Sequence, residues 1–338
     1  MSLKVLYTDS KAVELDVERA ILGADAVLIN ARKTRLDEVD AGALESCDAL
    51  VVNRLRIGAD AVARLARCRI LVRNGVGFDV VDLEACGNAG IVVCNVPDYG
   101  TTDVADSAIA MMLAFARGTA TYDAALHADL KTGWSHLHNV TSRRLRGACY
   151  GVIGLGRIGT AAALRARAFG MQVAFYDPYL KNGTELALGF TRARKLHDLL
   201  AMADVVSIHA DLNRESRGLI DAAAVAAMKP GAYLINAARG PICDTRVLLE
   251  GLRSGKLLAV GLDVLPVEPG SLDDPLVAAW HANEPWIRGR VLLNPHAAGH
   301  SPDAFADLRR KVAETVLDYL RDGRIVNCVN AEYLKHRR

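Results

Sequence analysis

Residues 150–177 constrain this chain more than any other stretch. The apolar run Tyr150–Ile153 leads straight into Gly154-Leu155-Gly156-Arg157-Ile158-Gly159, and a helical pattern over Ile158–Ala168 follows. A second apolar run, Val173-Ala174-Phe175-Tyr176, ends on Asp177, 18 residues beyond Gly159. Strand, glycine turn, helix and strand in that order build a parallel βαβ unit. Gly154 permits the tight turn, Gly156 lets a phosphate approach the backbone, and Gly159 lets helix and strand pack closely. The helix start at Arg157 and Ile158 then offers N–H groups and partial positive charge to a pyrophosphate. Asp177 is placed to accept both hydroxyls of an adenosine ribose. Its charge would repel a 2′-phosphate, and the nearest cation is Lys181. The pattern predicts NAD rather than NADP; taken alone, Asp177 also reads as a strand-end cap.

The rest of the chain repeats the theme. Short apolar runs at Lys4–Tyr7, Ala26–Ile29, Ala49–Val52, Ile70–Val72 and Ile91–Cys94 alternate with helical patterns around Val17–Leu22, Asp60–Ala66 and Asp82–Ala89. A second series runs through Tyr150–Ile153, Val173–Tyr176, Val205–Ile208, Tyr233–Ile235, Ala259–Leu262 and Val291–Leu293. Alternation at this spacing predicts an α/β chain with doubly wound parallel sheets. At roughly 100–200 residues per domain, 338 residues make about two domains. Between the series lies Thr101–Arg117, apolar on all sides from Ala108 to Ala116, which predicts a helix buried all round. Thr102 or Asp103 is its candidate cap and Gly118 its stop. Thr119–Arg146 is weakly patterned and reads as a connecting arm, and Pro269–Arg290 as a long irregular segment. The last helix spans about Asp303–Arg321, with Phe305, Leu308, Val312, Val316 and Leu320 at helical spacing.

Charge and cysteine usage exclude several classes. The net charge of +2, with 24% charged residues, argues against a nucleic-acid or membrane footprint. No apolar run nears the roughly 20 residues of a membrane span, and the first residues read as a strand rather than a secretory leader. Seven cysteines, an odd number with no C-x-x-C pair, predict neither a disulfide framework nor a zinc or other metal site. A cytoplasmic protein is expected.

Three strand ends carry reactive groups. Asn236-Ala237-Ala238-Arg239-Gly240, Asp263-Val264-Leu265-Pro266-Val267-Glu268-Pro269 and Asn294-Pro295-His296-Ala297-Ala298 each follow an apolar run. Ligands of open parallel sheets gather beyond the carboxyl ends of strands. Hydride transfer to a keto acid needs a cation for the carboxylate and carbonyl, an acid for the developing alkoxide, and a carboxylate to orient that acid. Arg239 suits the first, because guanidinium binds bidentately. His296 suits the second, since imidazole titrates near roughly 6.5. Glu268 suits the third. Singly, each is more often a surface charge or a turn residue; together they point to chemistry.

With these stretches the chain resembles the D-isomer-specific 2-hydroxyacid dehydrogenases over nearly its whole length, most of all their C-terminal-binding-protein branch. Also matching are Arg73-Asn74-Gly75-Val76-Gly77-Phe78-Asp79, Cys94-Asn95-Val96-Pro97 and Asn327-Cys328-Val329-Asn330. The resemblance implies a flavodoxin-like substrate domain from 1–101 and 304–338, with a Rossmann NAD-binding domain over 102–303. It implies a catalytic Arg239–Glu268–His296 set, with Arg239 and His296 also touching substrate. Asp263 would hold the nicotinamide amide. Val104, Ala237 and Ala238 would line the cofactor, and Asp211 to Ser216 the adenosine side. Arg73, Val76 and Gly77 would bind substrate. Relatives of this kind are usually homodimers and sometimes tetramers, joined through the apolar helix and the following arm.

One departure bears on the substrate. The branch typically has an aromatic pair after Pro-His-Ala-Ala, where this chain has Gly299 and His300. Loss of an indole wall would enlarge or re-polarise the pocket and favour a bulky, anionic or hydroxylated keto acid; His300 either contacts it or faces solvent. Ala237 and Pro241 replace the commoner Thr and Gly. Two rivals stand beside the dehydrogenase. One is an NAD(H)-sensing, peptide-binding module like the corepressors of that branch. The other is a formate-type enzyme, against which Glu268 argues, because that type pairs its histidine with Gln.

Overall fold

A computed structural model describes residues 2–338, which divide into two compact units: one up to Gly100 together with Ser301–Arg338, the other Thr101–His300. In the first unit β1 (Lys4–Tyr7), β2 (Val27–Asn30), β3 (Ala49–Val52), β4 (Ile70–Arg73) and β5 (Val92–Asn95) form one sheet in the order β2-β1-β3-β4-β5. Every pairing is parallel, and the order is flavodoxin-like. β3 and β5 are buried along their whole length, as expected of strands covered on both faces. Apolar side chains fill both faces: Val5, Val51, Val72 and Val92 on one, Leu6, Leu50, Leu71 and Val93 on the other. The long helix Pro302–Asp322 covers the first face with Leu308, Val312 and Val316. Ser301 caps its start, its Oγ accepting from Ala304 N at 3.0 Å, and Gly323 at φ 64° ends it. The C-terminal stretch then returns to the sheet through Asn330. Fully buried, its side chain accepts from Val93 N at 2.9 Å and donates to the Ile91 carbonyl at 3.0 Å.

The second unit holds β6 (Cys149–Ile153), β7 (Gln172–Tyr176), β8 (Thr191–Arg192), β9 (Val205–Ile208), β10 (Ala232–Asn236), β11 (Leu257–Leu262) and β12 (Val291–Leu293). Their order is β12-β11-β10-β9-β6-β7-β8, all parallel. The chain therefore reverses its winding between β6 and β9. That is the switch point at which loops diverge and leave a crevice.

Four expectations need correction. Thr119–Ala128 is helical, so the arm begins later; Gly118 (φ 64°) only breaks the preceding helix, and the chain resumes at once. The segment Pro269–Arg290 contains the helix Pro275–His281, started by Asp274, whose carboxylate accepts from Leu276 N and Val277 N. The helix Thr101–Arg117 already includes Thr102 and Asp103 in its first turn, so neither precedes it as a cap. Nor is it buried all round within this chain: Thr102, Asp106, Ala110 and Arg117 stay exposed along one side. The two-residue β8 was too short to leave an apolar run. Among the described residues no helix is long and apolar enough to cross a membrane.

Candidate active site

The glycine loop has the geometry its sequence requires. Gly154 sits at φ 85°, and a Cβ there would lie 2.7 Å from Ala210 N, on the neighbouring loop after β9. At Gly159 a Cβ would lie 2.1 Å from the Gly154 carbonyl oxygen, so helix and turn touch backbone to backbone. Gly156 is the opposite case: it is exposed, and a Cβ there would meet nothing within 4 Å. It precedes the helix Arg157–Ala168 and brings no capping side chain, leaving the first-turn N–H groups without an intrahelical partner. Exposed backbone, open space and a helix N-terminus together fit a pyrophosphate.

Asp177 ends β7 and ties the loop down. Its Oδ2 accepts from Leu155 N at 3.0 Å and its Oδ1 from Tyr179 N at 3.0 Å. A carboxylate has about four acceptor sites, so two remain for ribose hydroxyls. Strand-end cap and ribose ligand are compatible roles. Tyr179 reaches across to bond Glu215, joining the loop after β7 to the 211–216 turn. That turn is closed by Ser216, whose Oγ donates to the Asp211 carbonyl at 2.6 Å.

His209, the first residue after β9, went unremarked in the sequence. Its Nε2 lies 2.9 Å from Ser207 Oγ, and its buried Nδ1 has no partner among the described residues. Burial pushes its imidazole down to about 4, so it is neutral at ordinary pH. The usable signal was positional: a polar residue ending the strand beside β6, at the switch point.

The three reactive loops lie at neighbouring strand ends, after β10, β11 and β12. Asn236, fully buried at the end of β10, accepts from Ala238 N at 3.0 Å and donates to the Arg239 carbonyl at 2.9 Å. It thereby fixes Ala237, Ala238 and Arg239 in one turn. Gly240 follows, where a Cβ would lie 2.0 Å from the Leu265 carbonyl carbon. Only glycine lets the arginine loop press against the loop that carries Glu268. Arg239 itself is half-buried, with Nη1 donating to the Ala238 carbonyl at 2.8 Å.

Asp263 organises the third loop. It is 1% exposed and accepts from Ala297 N at 2.9 Å and Ala298 N at 3.0 Å. Its own carbonyl takes His296 N at 2.8 Å, and Ser107 of the apolar helix donates to the Ala298 carbonyl at 2.9 Å. His296 is held at φ 54°, a left-handed conformation uncommon outside glycine. Its Nδ1 lies 2.7 Å from Glu268 Oε2, while Glu268 Oε1 accepts from Leu265 N at 3.2 Å. With Nδ1 turned to the carboxylate, Nε2 is the atom left to exchange a proton. His300 is exposed one turn beyond. Val104 is half-buried in the first turn of the Thr101–Arg117 helix.

In the first unit Arg73 closes β4 and Val76-Gly77 follow. Asn95 donates to the Val76 carbonyl at 2.6 Å, and Val96 N to the Gly75 carbonyl at 3.0 Å, holding the turn against the end of β5. The amides of Val76 and Gly77 donate to no acceptor among the described residues. That leaves them available to a carboxylate.

The chain is similar to known proteins over this region. Residues 109–298 match the model of the D-isomer specific 2-hydroxyacid dehydrogenase, NAD binding domain. A D-3-phosphoglycerate dehydrogenase of Mycobacterium leprae is 35% identical over 291 residues, covering 86% of this chain and 52% of that protein. The C-terminal-binding protein 1 of Caenorhabditis elegans is 30% identical over 298 residues, covering 85% and 40%. This chain thus spans about half the length, or less, of those two relatives. A D-lactate dehydrogenase of Aquifex aeolicus, solved with NAD and lactic acid, superposes with a TM-score of 0.81 at 26% identity, over 98% of this chain and 97% of that one. NAD is the cofactor of the matched domain, and the chain belongs to the D-isomer-specific 2-hydroxyacid dehydrogenase family.

Proposed function

We propose that this chain is an NAD-dependent dehydrogenase interconverting a 2-keto acid and the matching D-2-hydroxy acid. The observation that carries this reading is the 2.7 Å contact between His296 and Glu268 on the loops beside Arg239. In the reducing direction a bound NADH would supply the hydride that the carbonyl carbon takes up. Arg239 holds the substrate carboxylate and draws charge onto the carbonyl oxygen. The protonated His296 gives its Nε2 proton to that oxygen as the alkoxide forms. Glu268 fixes the ring and offsets the imidazolium charge. Arg73, with the amides of Val76 and Gly77, is assigned to the substrate. Asp263, buried under the 296–298 backbone, positions His296 and presents its remaining acceptor capacity to the nicotinamide amide. Val104, Ala237 and Ala238 are assigned to the cofactor, as are the glycine loop and Asp177.

The same reading covers assembly and place. Leu130, Trp134 and Leu137 on the arm after the Thr119–Ala128 helix are more than 70% exposed. An apolar patch of this kind supports a homodimer, with tetramers as the further possibility. The seven free thiols, five of them buried, support a cytoplasmic setting.

The test is NADH oxidation across a panel of 2-keto acids, with His296→Ala as control. Turnover abolished in the control supports the assignment. Tight NADH binding without turnover of any member would overturn it. That outcome would favour an NAD(H)-sensing peptide-binding module, the role suggested by likeness to the C-terminal-binding branch.

A further inference from the structure

One buried side chain gathers the backbone that follows β7. Arg192 stands in the short β8, paired with Phe175 of β7, and its side chain is 7% exposed. Its Nη2 donates to the Leu180 carbonyl at 2.6 Å and to the Asp177 carbonyl at 3.1 Å. Its Nη1 donates to the Lys181 carbonyl at 3.0 Å and to Glu185 Oε2 at 3.4 Å. The guanidinium carbon also lies 5.7 Å from the centre of the Phe175 ring, within reach of a cation–π contact. Three loop carbonyls thus converge on one planar fork.

A guanidinium has five N–H donors, four of them on the two Nη atoms. The four contacts account for those four, so no Nη donor is left for a ligand. Glu185 and the carbonyl dipoles offset the buried charge. Arg192 is therefore spent on the loop and does not serve as a cation for a 2′-phosphate. Asp177 is fixed on two sides by this arrangement. Its carboxylate accepts from Leu155 N and Tyr179 N, and its carbonyl is tied to Arg192. No residue of 177–189 is buried. Apolar packing supplies little of the order in this segment, and the bonds to Arg192 supply much of it.

We propose that Arg192 is the positioning residue of the adenosine ribose site: it holds the Asp177 carboxylate where both ribose hydroxyls reach it, and so sets the preference for NADH over NADPH. This inference rests on the assignment of Asp177 to the ribose. A carboxylate that drifts with its backbone bonds the hydroxyls less well. It also repels a 2′-phosphate less, because repulsion falls with distance. Loss of Arg192 therefore acts on affinity and on selectivity through the same group.

The test measures NADH and NADPH dissociation constants by fluorescence titration, which requires no turnover. Arg192→Gln loses the fork and the charge, and Arg192→Lys loses the fork alone. Arg290→Gln is the control. Arg290 also donates to four carbonyls, those of Leu252, Leu257, Leu258 and Trp286, but it directly precedes β12, at the opposite edge of the sheet. Arg192→Gln is expected to weaken NADH binding about tenfold and to narrow the gap to NADPH. Arg290→Gln is expected to lower Tm with both constants unchanged. In an Asp177→Ala background Arg192→Gln should cost little further, because its effect passes through that carboxylate. Losses that add in the double variant, or cofactor binding in Arg192→Gln that matches the Arg290→Gln control, overturn the proposal and leave the ribose assignment of Asp177 standing. Where Arg192→Gln fails to fold, Arg192→Lys decides the same comparison: a narrowed gap between NADH and NADPH supports the proposal, and parent-like constants overturn it. Undiminished NADH affinity in Asp177→Ala alone would remove the ribose assignment itself, and the proposal with it.

Discussion

His296 Nδ1 stands 2.7 Å from Glu268 Oε2, although 28 residues separate the two in sequence and each sits on a loop at the end of the sheet. A carboxylate at that distance holds the ring with Nδ1 turned towards it and leaves Nε2 facing away. Glu268→Gln keeps the shape and one hydrogen bond but removes the charge. Reduction in the variant is expected to be slower by about one to two orders of magnitude. Steady-state kcat, with NADH affinity as control, measures this. An unchanged kcat would mean that Glu268 takes no part in the proton transfer.

Arg239→Lys tests geometry apart from charge. An ammonium keeps the positive charge but loses the planar fork that holds carboxylate and carbonyl together. The expected loss in kcat/KM is about a hundredfold or more, with NADH affinity unaffected. Near-normal turnover would remove Arg239 from the substrate.

Gly240→Ala probes the same site without altering a reactive group. The added Cβ would fall 2.0 Å from the Leu265 carbonyl carbon, and that neighbour is backbone, unable to rotate away. The arginine loop and the Glu268 loop must then separate. Overpacking of this kind costs about 1–3 kcal/mol, so a lowered Tm is expected together with a kcat loss larger than the change in NADH affinity. Normal kcat at reduced Tm would show that the contact serves stability alone.

The sequence made the strands legible because parallel strands buried on both faces are nearly unbroken apolar runs, and most began within a residue or so of their expected place. Val27–Asn30 and Val92–Asn95 are displaced by one because polar Asn30 and Asn95 end strands whose pairing, rather than apolarity, sets the limit. That Arg239, Glu268 and His296 follow neighbouring strand ends was readable because each comes after an apolar run, and a strand's carboxyl end has a fixed place in this architecture. What stayed hidden were contacts between loops. Nothing in the sequence brings Gly240 against Leu265, or shows that Asp263 is spent largely on the Ala297 and Ala298 amides. Short helices such as Thr119–Ala128 were missed for want of a one-sided apolar pattern; none of its residues is buried.

Asp177→Ala is expected to do two things. It removes the proposed ribose acceptor, which should weaken NADH binding by about tenfold to a hundredfold and narrow the gap to NADPH. It also frees Leu155 N and Tyr179 N, loosening the glycine loop. Asp177→Asn retains one acceptor oxygen and separates the effects: loop support survives in part while the charge that repels a 2′-phosphate is gone. NADH and NADPH dissociation constants for both variants measure this. Unchanged NADH affinity in Asp177→Ala would assign the residue to the loop alone.

His209 makes the protein's stability depend on pH, with a sign that follows from its environment. Burial holds its folded-state value at about 4, below the ordinary 6.5 of a free imidazole. Between those values the unfolded chain takes up a proton that the folded chain does not. The unfolded state therefore binds more protons, and stability rises with pH across that window. The contribution against folding is absent above about 6.5, grows as pH falls, and is complete near 4, where the folded state begins to protonate as well. His209→Gln, which keeps a hydrogen-bonding side chain for Ser207 but has no titrating group, should flatten the dependence of Tm on pH between 4 and 6.5. Thermal unfolding followed at half-unit steps measures the slope for both proteins. Parallel curves would mean that His209 protonates in the folded state at its ordinary value, with its ring open to water rather than buried against β9.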